Sequence, residues 1–302
     1  MPDSRPPTQR PFLSAGIRYM AMSAFFFSVM SMLVKFAGRT FPVMELVFAR
    51  AVVVSGLALA DMRRRRVPLH NPDSGLLLLR GAVGLAALAC FYYAVVHLPL
   101  AEATVIHFTN PVWTALIAAV FLAEVLRPRE LALALGSLAG VVLVVRPFGI
   151  LGGGLGLAPR GVVAALAGAI LAAWAYTLVR RLRQHDAMLI VFYFAAVSVI
   201  GGFPLMLPAF VWPHGVEWVL LLGVGLATFL GQITMTLGLQ RERAGLATAV
   251  GYLQIILAAT WGMLFFGDSI HLTTIAGATV IVSCTLLLAH LRRGEPVPPG
   301  EE

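Results

Sequence analysis

The chain has 302 residues, 59% of them hydrophobic and 12% charged, with a net charge of +8. Soluble domains are about 45–50% apolar and about 25% charged, so a water-soluble globular domain is excluded. Lipid accepts only helices or closed barrels, and apolar runs near the ~20-residue span length select helices over a barrel's alternating segments.

From the N-terminus, residues 1–13 are rich in Pro and Arg and read as a cytoplasmic tail. The first apolar run is longer than a signal-peptide core and lacks a cleavage motif, so it reads as an uncleaved span. Spans are predicted at 14–36, 42–60, 75–96, 100–122, 129–146, 160–180, 187–208, 216–239, 244–266 and 272–291. Clusters such as Arg146-Pro-Phe-Gly and Gly152-Gly-Gly mark breaks between them. Residues 292–302 read as a second tail. Cys90 and Cys284 fall inside apolar runs and read as small packing residues, not as a disulfide or metal site.

Charge sets the orientation. With the N-terminus inside, sixteen of the Lys and Arg residues fall on cytoplasmic segments, among them Arg63 to Arg66, Arg180, Arg181, Arg241 and Arg243. Four fall outside (Lys35, Arg39, Arg146 and Arg160), and Arg50 and Arg80 lie within spans. This bias places both termini in the cytoplasm of a multi-pass protein of the cell (inner) membrane. Because the cations sit in short loops between spans, the positive charge reads as membrane anchoring, not as a nucleic-acid surface.

The chain also repeats itself. Residues 98–124 align with 242–268 at an offset of 144, without a gap. Ala103-Thr104 falls on Ala247-Thr248, Asn110 on Gln254, Phe121 on Phe265 and Glu124 on Asp268. Upstream, Leu33-Val34-Lys35 meets Leu178-Val179-Arg180. Five spans per half is an odd number, so the second half enters the membrane from the opposite side. The expected fold is an all-α integral membrane protein of ten transmembrane helices, built as two inverted-topology five-helix repeats. Inverted repeats are the architecture of secondary transporters, whose site lies near the midplane where the repeats meet.

The stretch from Phe91-Tyr-Tyr-Ala through Ala101-Glu-Ala-Thr to Phe108-Thr-Asn-Pro-Val-Trp-Thr resembles the EamA signature. So do Phe121-Leu-Ala-Glu-Val-Leu-Arg-Pro and Gly140-Val-Val-Leu-Val-Val-Arg-Pro. The resemblance is to the drug/metabolite transporter superfamily and covers residues from about 15 to 291, the first half matching better. It implies one repeat over 14–148, a Gly-rich linker over 149–159 and a second repeat over 160–291. It also implies alternating access and a small-molecule substrate, such as an amino-acid, S-adenosylmethionine or riboflavin-like solute. In small four-helix relatives an acid in the first span couples transport to protons. Residues 14–36 hold no acid, so that role does not carry over.

Candidate path residues are the groups that lipid tolerates poorly. A central Arg costs roughly 2.5–3.5 kcal/mol on insertion scales, so Arg50 needs water or a partner. It reads as a contact for an anionic substrate group, a gate, or a structural link to a carbonyl or acid. Arg80 either snorkels to the cytoplasmic surface or serves as a gate. Glu45 reads as an interface acid or a coupling group. On one continuous helix, His107, Asn110 and Thr114 project within about 60° of each other, and that stripe is expected to face a cavity or bond to neighbouring helices. His107 reads as a proton relay, a substrate contact or a packing residue, and Glu102 as a surface acid at a helix start. Tyr92, Trp174 and Tyr252 read as lining the path or as part of an aromatic belt at the lipid interface, and Gln232 and Gln254 complete the expected path. Gly136-Ser-Leu-Ala-Gly140 is a small-residue motif for close helix contact, within the chain or across a homodimer.

The expected function is secondary transport of a small polar or amphipathic metabolite. A lipid or lipid-linked flippase of the same architecture is the alternative. No HExxH, GxSxG or P-loop pattern occurs, so the chain reads as no enzyme and calls for no cofactor or metal.

Overall fold

A computed structural model describes residues 15–69, 72–121, 128–145, 157–182, 184–241 and 250–291. Among them the secondary structure is all helical. Helix α1 runs Ala15–Ala37, α2 Val43–Arg65, α3 Ser74–His97, α4 Leu100–His107, α5 Asn110–Phe121 and α6 Pro128–Val145. In the second half α7 runs Pro159–Arg181, α8 Ala187–Met206, α9 Glu217–Arg241, α10 Leu253–Trp261 and α11 Leu272–Leu291. Among the described residues six helices are long and apolar enough to cross a membrane: α1, α2, α3, α7, α8 and α9.

Local chemistry sets the boundaries. Three arginines in the last turn of α2 complement the negative end of its dipole, and Arg66, at φ 56°, turns the chain out of the helix. Pro159 opens α7, where its missing N–H costs nothing. Asp186 caps α8 by accepting a hydrogen bond from the Met188 N–H at 2.8 Å. A π-helical turn over Gly262–Phe266 extends α10 and ends at Gly267, which takes the left-handed conformation at φ 66°.

The predicted span 100–122 is not one helix. It breaks at Phe108 and Thr109, because Pro111 has no N–H to offer the His107 carbonyl. Thr109 stabilises the turn, its hydroxyl donating to the Ile106 carbonyl at 2.7 Å. The second half breaks at Tyr252, the residue that aligns with Phe108. The first part of the predicted span 244–266, and Glu124 with Thr248, lie outside the described residues.

Helix contacts cross between the halves. Helix α1 lies along α9 and α3 along α7, while α2 pairs with α8 and α6 with α11. Helix α10 contacts α1, and α5 contacts α7. When the first five predicted spans are exchanged for the second five, each of these contacts maps onto itself or onto another of them. Closest approach is at Gly140 and Gly277, where a Cβ on either would fall within 3 Å of the other's carbonyl oxygen. Gly136 faces Cys284 of the same α11. The small-residue motif is therefore occupied inside the chain, and a homodimer gains no support from it.

Candidate substrate site

Two arginines from different helices converge on one ring. Arg50 on α2 has its Cζ 5.0 Å from the centroid of Phe194 on α8. Arg80 on α3 has its Cζ 4.2 Å from the same centroid. The two cationic carbons thus lie within about 9 Å of each other, near enough for strong repulsion in an apolar interior. Arg50 is 2% exposed. The Nε and Nη1 atoms of both arginines are buried and meet no hydrogen-bond partner. Arg80 does not snorkel, because its guanidinium turns inward over the ring and away from the α3 terminus. Tyr92, fully buried on α3, lies within electrostatic range of Arg50 and close to the Thr228 hydroxyl.

Neither Glu45 nor Glu102 forms an ion pair with these arginines, although Glu45 Oε1 is buried without a partner. Glu45 accepts a hydrogen bond from the Val211 N–H at 3.0 Å, fastening α2 to the segment after α8. Glu102 is 1% exposed and accepts from the Thr274 hydroxyl at 2.9 Å. The surface position expected for Glu102 is wrong: seven of the eight residues of α4 are buried, so its first turn is interior.

A second group of side chains joins the halves through aromatic contacts. His107 packs on Phe91 in a tilted contact with centroids 4.4 Å apart and meets Phe108 edge-on. Phe108 reaches Tyr252 at 5.5 Å. Residues at the two helix breaks thus touch. The predicted stripe is divided, because His107 ends α4 and Asn110 begins α5. Its hydroxyls are satisfied locally, Thr104 by the Leu100 carbonyl and Thr114 by the Asn110 carbonyl. His107 Nδ1 remains without a partner, and the Tyr252 hydroxyl lies close to that of Thr285. Asn110, Gln232 and Gln254 are buried on α5, α9 and α10, and Trp174 is half-buried on α7.

The ends of the bundle differ. At one end Lys35 pairs with Asp268 at 2.7 Å and donates to the Leu98 carbonyl at 3.1 Å. The same Asp268 oxygen accepts from the Leu100 N–H at 3.0 Å. One carboxylate thereby ties α1, the α3–α4 turn and the α10–α11 loop together. The opposite end carries Arg63 to Arg66, and there a cavity of about 290 Å³ lies between α2, α8 and α9. Asp61, Arg65 and Asp186 line its mouth, and it reaches Val191, one turn from Phe194. Burial raises the Asp186 carboxyl, but the Arg65 guanidinium and the Met188 and Leu189 N–H groups outweigh that and hold it below the ordinary carboxylate value.

Sequence reading did not find Phe194, which resembles any other apolar residue. It did not find the Lys35–Asp268 pair either, although the repeat alignment had matched Lys35 with Arg180 and Glu124 with Asp268.

Apolar spans around buried polar groups define a multi-pass membrane protein with the makings of a solute path. The EamA-like transporter family matches residues 14–146 and again 159–289, and the chain belongs to that family. It is 34% identical over 284 residues to the pseudopaline exporter CntI of Pseudomonas aeruginosa, covering 93% of this chain and 98% of the exporter. It is 31% identical over 283 residues to solute carrier family 35 member G1 of Mus musculus, covering 89% and 77%. A solved crystal structure shares the fold at TM-score 0.65 and 21% identity, covering 92% of this chain and 96% of its own.

Proposed function

We propose that this chain is a secondary transporter that moves a small polar or amphipathic metabolite across the cytoplasmic membrane by alternating access. Two inverted five-span repeats, divided near the linker 149–159, rock about a shared interior, with both chain termini in the cytoplasm. The carrying observation is the exchange symmetry of the helix contacts, with aligned breaks at Phe108 and Tyr252 meeting in the middle. Such symmetry lets one sequence build two mirror-related states, one open to each side. The path runs past Arg50, Tyr92, His107, Asn110, Thr114, Trp174, Gln232, Tyr252 and Gln254. The Lys35–Asp268 pair closes the outer end, and the cavity at Asp61 and Arg65 opens the inner one. Similarity to an exporter over nearly the full chain supports outward movement.

The test is solute flux in proteoliposomes. Labelled solutes from a broad metabolite panel should enter protein-containing vesicles faster than empty ones and with saturation. If no solute moves and a fluorescent lipid is scrambled instead, the activity is that of a flippase.

A further inference from the structure

Arg50 and Arg80 put two positive charges beside one ring in the interior of the bundle. Burying an unpaired charge is expensive, and two neighbouring like charges add mutual repulsion. Among the described residues no carboxylate pairs with either guanidinium, and the buried Nε and Nη1 of both meet no hydrogen-bond partner. Glu102 accepts from Thr274, and Glu45 accepts from Val211 through one oxygen while its Oε1 stays unpartnered; neither forms an ion pair with the arginines. A purely structural arginine in an apolar interior takes a carbonyl or an acid as partner. These two have unused donors, a buried tyrosine hydroxyl beside Arg50, and an aromatic face shared between them.

Gly84 sharpens the geometry. A Cβ there would fall 2.8 Å from the Phe194 ring and 2.9 Å from Arg80 Nη1. The absence of a side chain at Gly84 is what lets the ring and the guanidinium stand together. The sequence thus keeps both a costly charge pair and the space that holds it in place.

We infer that Arg50 and Arg80 form the binding site for a small dicarboxylate, one carboxylate at each guanidinium and the ligand's carbon chain against the Phe194 ring. Charge neutralisation accounts for two cations where a neutral solute needs none, and the ring supplies the apolar contact that inorganic anions lack. This assignment rests on the transporter reading and names the substrate class of that path.

The experiment uses the purified full chain with glutarate, and with uncharged glutaramide as the matched control. Labelled glutarate should bind saturably, and succinate and adipate should compete while glutaramide does not. Arg50→Gln and Arg80→Gln should each weaken binding by about tenfold or more, the loss of one charge-assisted contact. The competition series needs only the unaltered protein, so it decides the matter even if a variant fails to fold. If no diacid binds while neutral or cationic solutes move in proteoliposomes, the dicarboxylate site is wrong and the transporter reading stands. If glutarate binds but no solute of any charge moves, the transporter reading fails and the anion site stands. Glutarate binding unchanged in both glutamine variants would overturn the assignment of these two arginines.

Discussion

Arg50 is where stability and function pull in opposite directions. Removing its charge relieves an insertion cost of roughly 2.5–3.5 kcal/mol, which the Phe194 ring offsets only in part. Arg50→Ala should therefore leave the melting temperature unchanged or raised while transport falls at least about tenfold, the worth of one charged contact. Flux and thermal unfolding of the same preparation check this together; full transport would make Arg50 idle. Gly84→Ala tests the ring that both arginines share. Its methyl would displace either the Phe194 ring or Arg80 Nη1. The flexible arginine yields more easily, so the expected outcome is several-fold weaker transport with little change in unfolding temperature. Both arginines are visible in the sequence because an intramembrane charge is rare and costly. Their meeting point is not, because nothing distinguishes Phe194 from the other seventeen phenylalanines until three helices are in place.

Between helices, small residues decide how closely the bundle closes. At Gly277 an added Cβ would stand 2.6 Å from the Gly140 carbonyl oxygen, a backbone atom that no side-chain rotation can move aside. Gly277→Val should push α6 from α11 and cost about 1–3 kcal/mol, the usual range for overpacking. A lowered unfolding temperature in detergent would report it, whereas Gly56→Ala, where a Cβ meets nothing within 4 Å, should leave that temperature nearly unchanged. Most helices could be read from apolar periodicity and their terminal Pro, Gly and Arg residues. The α4–α5 break was half legible: Pro111 signalled a disturbed helix, but a kink and a full interruption leave the same mark in sequence. The break at Tyr252 has no proline, so only the repeat alignment with Phe108 could have pointed to it. Glu102 misled for a related reason. An acid one turn into a helix is ordinarily at the surface, and only the burial of α4 makes it internal.

For the molecule as a whole, the closed end implies its own counterpart. Lys35 and Asp268 come from opposite halves and meet at one end in a 2.7 Å ion pair. The repeat alignment sets Arg180 against Lys35 and Glu124 against Asp268. If the halves exchange roles during transport, Arg180 and Glu124 pair when the arginine-rich end closes, and each pair breaks as the other forms. A ligand-free carrier partitions between the two states according to the difference in their closing interactions, and about 1.4 kcal/mol lost from one shifts that ratio tenfold. A cysteine at Asn110, in a chain with Cys90 and Cys284 replaced by alanine, reports this partition through an impermeant thiol reagent applied to oriented vesicles. Lys35→Ala should speed labelling from the Lys35 side and slow it from the other, and Glu124→Ala should do the reverse. Opposite shifts are the signature of two gates on one equilibrium. Parallel shifts, or none, would mean that the ion pair only braces the fold, and that the contacts crossing between the halves do not exchange as the repeats predict.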